Sequence, residues 1–358
     1  MRAIVAIALK DLRLLVRDRV ALFWVLVFPV LFALFLGTVL ETTVAREQRP
    51  LVVAFVDEPS SAAGAALRQS LDAAPELALK PHSLSEAQAA VRRGDIPAYV
   101  RVLPQLNAST PLVELGMDPA QKQAAAIVAN GLEVALTRGA GAPHSPKVRV
   151  QSVLPDASRP RSAFDIVFPA AILWGLMGCV ATFAIAMVGE RVGGTLDRLR
   201  VAPISSATVL GGKALACFGA CILDSVVLLV IARYAFGVRP ERPLLLCLVL
   251  PCVALCFVGI MLLLGQIGRT VESVAGAGWS TLIVLAMLGG AMVPLSAMPD
   301  WMQLLSSGSP VKWGIRVLEG VIWRGLSIAE LASASALLVL TGVVTFLIAW
   351  NRSGLRGA

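Results

Sequence analysis

The sequence predicts an α-helical polytopic membrane protein with six transmembrane helices and a small α/β extracytoplasmic domain. Hydrophobic residues fill 57% of the 358 positions and charged residues only 15%, where a soluble chain carries about 25% charged residues. Six apolar segments, near 20–40, 164–189, 214–237, 244–264, 274–295 and 331–350, reach the roughly 20 residues that cross a hydrocarbon core. One long interval, 41–163, is of ordinary polarity and alternates strand and helix signals.

Residues 1–19 read as a cytoplasmic interfacial helix. Ile4, Ala8, Leu12 and Leu15 line one face and Lys10, Arg13 and Arg17 another, a pattern suited to a membrane surface. A charged flank that only orients the next segment is the alternative. Residues 20–40 form the first transmembrane helix. Its charge-free run of 20 residues from Ala21 is longer than the apolar region of a signal peptide, and Thr43-Val44-Ala45 is a poor cleavage site.

Residues 41–163 form the extracytoplasmic domain, with strands near 51–56, 98–103, 112–115 and 148–153 and helices near 60–74, 87–93 and 119–137. It holds 13 Lys+Arg against 12 Asp+Glu, which leaves 18 basic and 11 acidic residues to the rest of the chain. The net basic charge thus belongs to the membrane part, and no basic cluster marks a nucleic-acid surface. His82 and His144 sit in Pro-flanked loops 62 positions apart, the placement of exposed loop histidines rather than of a metal site.

Residues 164–350 carry five more transmembrane helices, and 351–358 a cytoplasmic tail. With the N-terminus inside, the inner segments hold twelve Lys or Arg and the short outer ones five. This imbalance puts both termini in the cytoplasm. All six cysteines lie in apolar segments, so no disulfide framework is implied and they read as packing residues. Between the last two helices, 296–327 mixes apolar turns with Asp300, Lys312, Arg316, Glu319 and three of the seven Trp. It reads as a re-entrant or interfacial segment, with an ordinary amphipathic loop as the alternative.

No catalytic set emerges: phosphate-loop, H-E-x-x-H and paired C-x-x-C motifs are all lacking. Instead a charged wedge, 190–205, separates two long apolar runs. Glu190 and Arg191 end one run. Gly194, Thr195, Leu196, Asp197, Arg198 and Leu199 then make about one and a half helical turns, stopped at Pro203. Leu196 and Leu199 share one face, giving an apolar knob with a charged rim, a shape suited to docking. A plain connector carrying inner positive charge fits these residues equally.

The wedge resembles the coupling loop of the ABC-2 family of ABC transporter permeases, in Glu190-Arg191, in Gly194-Thr195-Leu196-Asp197-Arg198-Leu199 and in the Pro203-Ile204-Ser205 ending. Val192 departs from it, since the family often has an acidic residue there. Three further stretches are similar in family order: Lys10-Asp11 through Arg17-Asp18-Arg19 to Phe28-Pro29, Gly94-Asp95-Ile96-Pro97-Ala98, and Met298-Pro299-Asp300-Trp301 with Ser309-Pro310 and Arg316. The second marks the branch with a large ectodomain between the first two spans. The resemblance implies the permease subunit of an ATP-binding-cassette exporter in a bacterial inner (plasma) membrane. It implies an identical or homologous second permease subunit, and two copies of a separate ATPase subunit docked at the wedge. ATP and Mg would be bound by that partner, with no cofactor and no catalytic residue in this chain. The rival classes are an ATP-independent secondary transporter, which would often show an internal repeat, and a membrane sensor with a ligand-binding ectodomain.

Asp224 is the one acidic residue deep in an apolar segment. It costs about 2.5–3.5 kcal/mol at a helix centre, against roughly 0.3–0.6 gained for each Leu, Ile, Phe or Val, and ten such residues between Leu215 and Ile231 outweigh it. An intramembrane acid is a translocation-path candidate. A structural hydrogen bond to a neighbouring helix is the rival role, with Gln266 as a weak candidate partner.

Overall fold

The computed structural model describes residues 2–42, 51–56, 62–72, 77–103, 112–118, 122–139, 148–152, 162–195, 205–292, 295 and 298–352. The chain divides into a helical unit and an α/β unit, the latter formed chiefly by Leu40–Arg161.

Six helices are long and apolar enough to cross a membrane: Arg19–Thr38, Ala163–Val192, Ala207–Ala235, Pro243–Ile267, Val271–Gly289 and Ile328–Arg352. They are the first to sixth spans. The second is the centre of the unit, because 83% of its apolar stretch is buried against 22% in the fifth and sixth. The fifth span stops short of the expected position 295. Its apolar run continues, but Gly290 adopts a left-handed conformation (φ 90°) that ends the helix at Gly289.

Helix α1 (Arg2–Arg17) precedes the first span. Its buried face carries Ile7, Ala8, Asp11 and Leu15, so an acid lies among the residues expected to be purely apolar. This face packs on the third span, where a Cβ at Gly212 would lie only 2.8 Å from Ile7 Cβ. Gly212 thus leaves the space that receives α1. Glycine likewise lets the fourth and sixth spans touch backbone to backbone, since a Cβ at Gly342 would sit 2.7 Å from the Leu255 carbonyl oxygen. Four of the six cysteines are buried, whereas Cys252 is half-buried and Cys247 exposed.

In the α/β unit, strands β1 (Leu51–Val56), β2 (Leu77–Pro81), β3 (Ala98–Leu103), β4 (Leu112–Met117) and β5 (Val148–Ser152) form one sheet of order β2-β1-β3-β4-β5. Only the β3–β4 pair is antiparallel. Helices α2 (Ala62–Asp72) and α4 (Lys122–Gly139) cover one face over Val53, Phe55, Val100 and Leu115, while α3 (Leu84–Arg93) covers the other over Ala54, Val56 and Tyr99. Strand alternation sends successive residues to opposite faces, which gives the sheet its two cores. β2 is absent from the expected elements. Its Leu-Ala-Leu-Lys-Pro sequence has no β-branched residue, and a proline fits only an edge strand of this kind.

The segment before the sixth span contains α5 (Asp300–Ser306) and α6 (Pro310–Glu319), followed by a π turn at Gly320–Arg324. Trp301 is exposed, while Trp323 is buried beneath the Arg324 guanidinium, which pairs with Glu319 at 2.6 Å.

The Gly342→Leu substitution should cost about 1–3 kcal/mol, because a backbone neighbour cannot give way. Gly276→Leu, at a glycine with nothing within 4 Å, should be nearly neutral. Thermal unfolding of the purified protein in detergent checks both, and equal stability would contradict the backbone contact.

Candidate functional site

Four charged side chains meet where α1 crosses the ends of two spans. Glu190, on the last turn of the second span, accepts from Lys10 Nζ at 2.6 Å and faces Lys213 Nζ at 2.7 Å. Asp11 receives Lys10 at 2.9 Å and Lys213 at 3.4 Å. Two cations and two anions therefore alternate in a neutral junction. Asp11 and Lys213 are 7% and 3% exposed, so neither could be held there alone: an unpaired buried charge is strongly disfavoured, and removing one partner of a buried pair costs about 3–5 kcal/mol. Burial works to lower the Lys10 pKa, but its hydrogen bonds to Glu190 and Asp11 outweigh this and hold it above the ordinary 10.5. The Lys10 ammonium thus supports the fold throughout the neutral range, and that support fades only as pH rises through the raised value.

Arg191 makes a second tie. Its Nη2 donates to the Gly265 carbonyl at 2.9 Å and to Gln266 Oε1 at 3.0 Å, and Nη1 donates to the Gly268 carbonyl at 3.2 Å. These acceptors lie in the last turn of the fourth span and just beyond it, where carbonyls lack helical partners. Gln266, the weak candidate partner of Asp224, is engaged here instead.

The second span ends at Gly193, and Gly194 turns left-handed (φ 69°). Thr195 follows, exposed. Leu196, Asp197, Arg198 and Leu199, like Pro203 and Ile204, lie outside the described residues. Ser205 then opens the next helix, its hydroxyl accepting from Thr208 N at 3.2 Å. The wedge is therefore clamped on both sides. Glu190 and Lys213 hold its flanking spans to α1, and Arg191 holds its first strut to the fourth span.

Glu190 and Arg191, expected to meet a partner chain, make these contacts within this chain. In the sequence, Lys10 and Lys213 count only among the inner positive charges, and Asp11 has no role beyond standing beside Lys10. A signal was available: Asp11 lies four residues from both Ile7 and Leu15, on the apolar face of an amphipathic helix, where a carboxylate requires a cation.

Asp224 lies away from this junction. It is 2% exposed, and neither carboxylate oxygen has a hydrogen-bond partner among the described residues. It packs on Gly175 of the second span, where a Cβ would overlap its Oδ2. The chain thus gives Asp224 room rather than a polar partner.

Six candidate spans, packed around a buried second one, define a multi-pass membrane protein. The family model for ABC-2 family transporter proteins matches residues 19–351, and the chain belongs to that family. It is similar to the Linearmycin resistance permease protein LnrN of Bacillus subtilis (strain 168), 25% identical over 191 residues, covering 53% of this chain and 48% of that protein. It is also similar to ABC transporter G family member 20 of Dictyostelium discoideum, 24% identical over 204 residues, covering 56% and 28% respectively. The chain thus matches about half of the first relative and about a quarter of the second.

Gly175→Ala should destabilise the protein by about 1–3 kcal/mol through overpacking, and Asp224→Ala in the same chain should recover most of that loss by vacating the space. Unfolding of the two single variants and the double variant measures this. Additive effects would refute the fitted contact.

Proposed function

We propose that this chain is the permease subunit of an ATP-driven exporter, working with an ATPase carried on a separate chain. The observation that supports this reading is the clamped wedge. A force applied to the apolar knob at Leu196 and Leu199 would pass through Glu190, Arg191 and Lys213 into α1 and the second, third and fourth spans together. The family match supports the same assignment, and the resistance permease relative supports outward movement of its substrate. The lack of a phosphate loop in the sequence agrees with ATP and Mg bound by the partner.

On this reading the wedge and both termini are cytoplasmic, and 41–163 lies outside the cytoplasm. Two permease chains, identical or homologous, pair in a bacterial inner membrane above two ATPase chains. The roles of the four junction residues then separate from those of the knob. Lys10, Asp11, Glu190 and Lys213, with the separate Arg191 tie, transmit force, while 196–199 receives it. Asp224 is the candidate within the translocation path. Its fit against Gly175 favours a second reading, in which it sets the spacing of the second and third spans.

Affinity purification of the tagged chain from its native membrane should bring down an ATP-hydrolysing subunit. The Leu196→Asp, Leu199→Asp double variant should melt like the parent and lose that subunit. Glu190→Ala is a poor substitute, since it breaks the buried junction. Recovery of undiminished ATPase with the double variant would overturn the docking role, and absence of any ATPase with the parent would overturn the reading itself.

A further inference from the structure

A cavity of about 360 Å³ opens where α1 turns into the first span, between that elbow and the second and fifth spans. Two features of its wall are unusual. Trp24 lies in a π turn, Phe23–Val27, and Trp279 follows directly after another, Val274–Gly278. π turns are rare and concentrate at functional sites. Together they bring the two indole rings to 5.1 Å at a tilt of 51°, one aromatic wall built from two separate spans. The other feature is the charge. Asp11, Asp18 and Lys213 reach the cavity, but Lys213 is already shared between Asp11 and Glu190. Asp18 Oδ1 caps the first span through Val20 N and Ala21 N, and Asp18 forms no ion pair among the described residues. Arg13 and Arg17 are exposed. At about 100° per residue they fall on the opposite side of α1 from Asp11 and Leu15.

The wall is thus largely apolar and aromatic, with at its edge the exposed Asp18 carboxylate, which caps the first span and, among the described residues, forms no ion pair even with its exposed neighbours Arg17 and Arg19. A phosphate or carboxylate headgroup would meet Asp18 and find the nearby ammonium already engaged. An ammonium would pair with Asp18 and gain from the ring faces beside it. We propose that this cavity binds an amphiphilic cation, its protonated amine on Asp18 and its apolar body along Trp24 and Trp279. As a binding site it stands on the cavity alone. Its use as the entry site for exported substrate from the inner leaflet rests on the exporter reading above.

The test needs no ATPase. The parent chain, in nanodiscs of zwitterionic phosphatidylcholine, is titrated with ω-bromoundecylamine, whose bromine quenches nearby tryptophan. Saturable quenching is expected, with most of its amplitude lost in the Trp24→Phe, Trp279→Phe variant. Asp18→Asn keeps the helix cap, because asparagine caps as well as aspartate, and should weaken apparent affinity about tenfold, the loss of one charge-assisted contact. ω-Bromoundecanoate should quench only in proportion to its concentration. Equal behaviour of amine and carboxylate, or an Asp18→Asn variant that binds like the parent, would show a general lipid groove and overturn the proposal. A parent chain that shows no saturable quenching by the amine yet copurifies with its ATPase would sink this proposal alone; saturable quenching in a parent that brings down no ATPase would sink only the exporter reading.

Discussion

The arrangement of the spans depends on a junction of four charges, of which the chain can bury Asp11 and Lys213 only in each other's company and that of Glu190. Lys213 enters an apolar helix, Asp11 lies on the apolar face of another, and Glu190 ends a third. Each alone would be expelled to water or neutralised. In alternation they cancel, and to do so they must bring α1 and the ends of the second and third spans to one point. Lys213 and Glu190 form the inner pair, with side chains 4% and 15% exposed. Lys10, 43% exposed, is screened by solvent and contributes less. Glycine makes the geometry possible: without the gap at Gly212, Ile7 could not approach and Asp11 could not reach Lys213.

The same economy of space recurs through the helical unit. Polar groups are placed where a neighbour has no side chain, as with Asp224 over Gly175, and backbones touch where glycines face each other, as between the fourth and sixth spans. Within a membrane, where burial of apolar surface does not drive helix association, such close approaches supply much of the packing. The charged junction and the Arg191 tie hold together the spans that flank the wedge, while the cavity beside Trp24 keeps open space at the elbow of α1 and the first span. On the proposed readings the first would transmit movement and the second accept a ligand.

Much of this was legible in the sequence. Apolar runs of about 20 residues marked all six spans, because length and composition alone decide whether a helix can cross a bilayer. Short apolar, β-branched runs located β1, β3, β4 and β5, and the wedge stood out as polarity between apolar runs. The failures have physical causes. β2 carries no β-branched residue and ends in proline, so its place comes from pairing with β1 rather than from its own pattern. Glu190 and Arg191 look like surface residues because their partners, Lys10, Lys213 and Gly265, are distant in the chain. Asp224 invites a search for a polar partner, but among the described residues its oxygens have none and Gly175 of another helix faces it. No local pattern in a single sequence records which glycine faces which carboxylate.

The central claim is that Glu190 and Lys213 stabilise the fold jointly rather than separately. A double-mutant cycle of Glu190→Gln and Lys213→Met, read from unfolding free energies of the purified protein, measures that coupling directly. A coupling energy of about 1–3 kcal/mol is predicted, within the range found for contacting residues. A value below about 0.5 kcal/mol, as for independent sites, would contradict it.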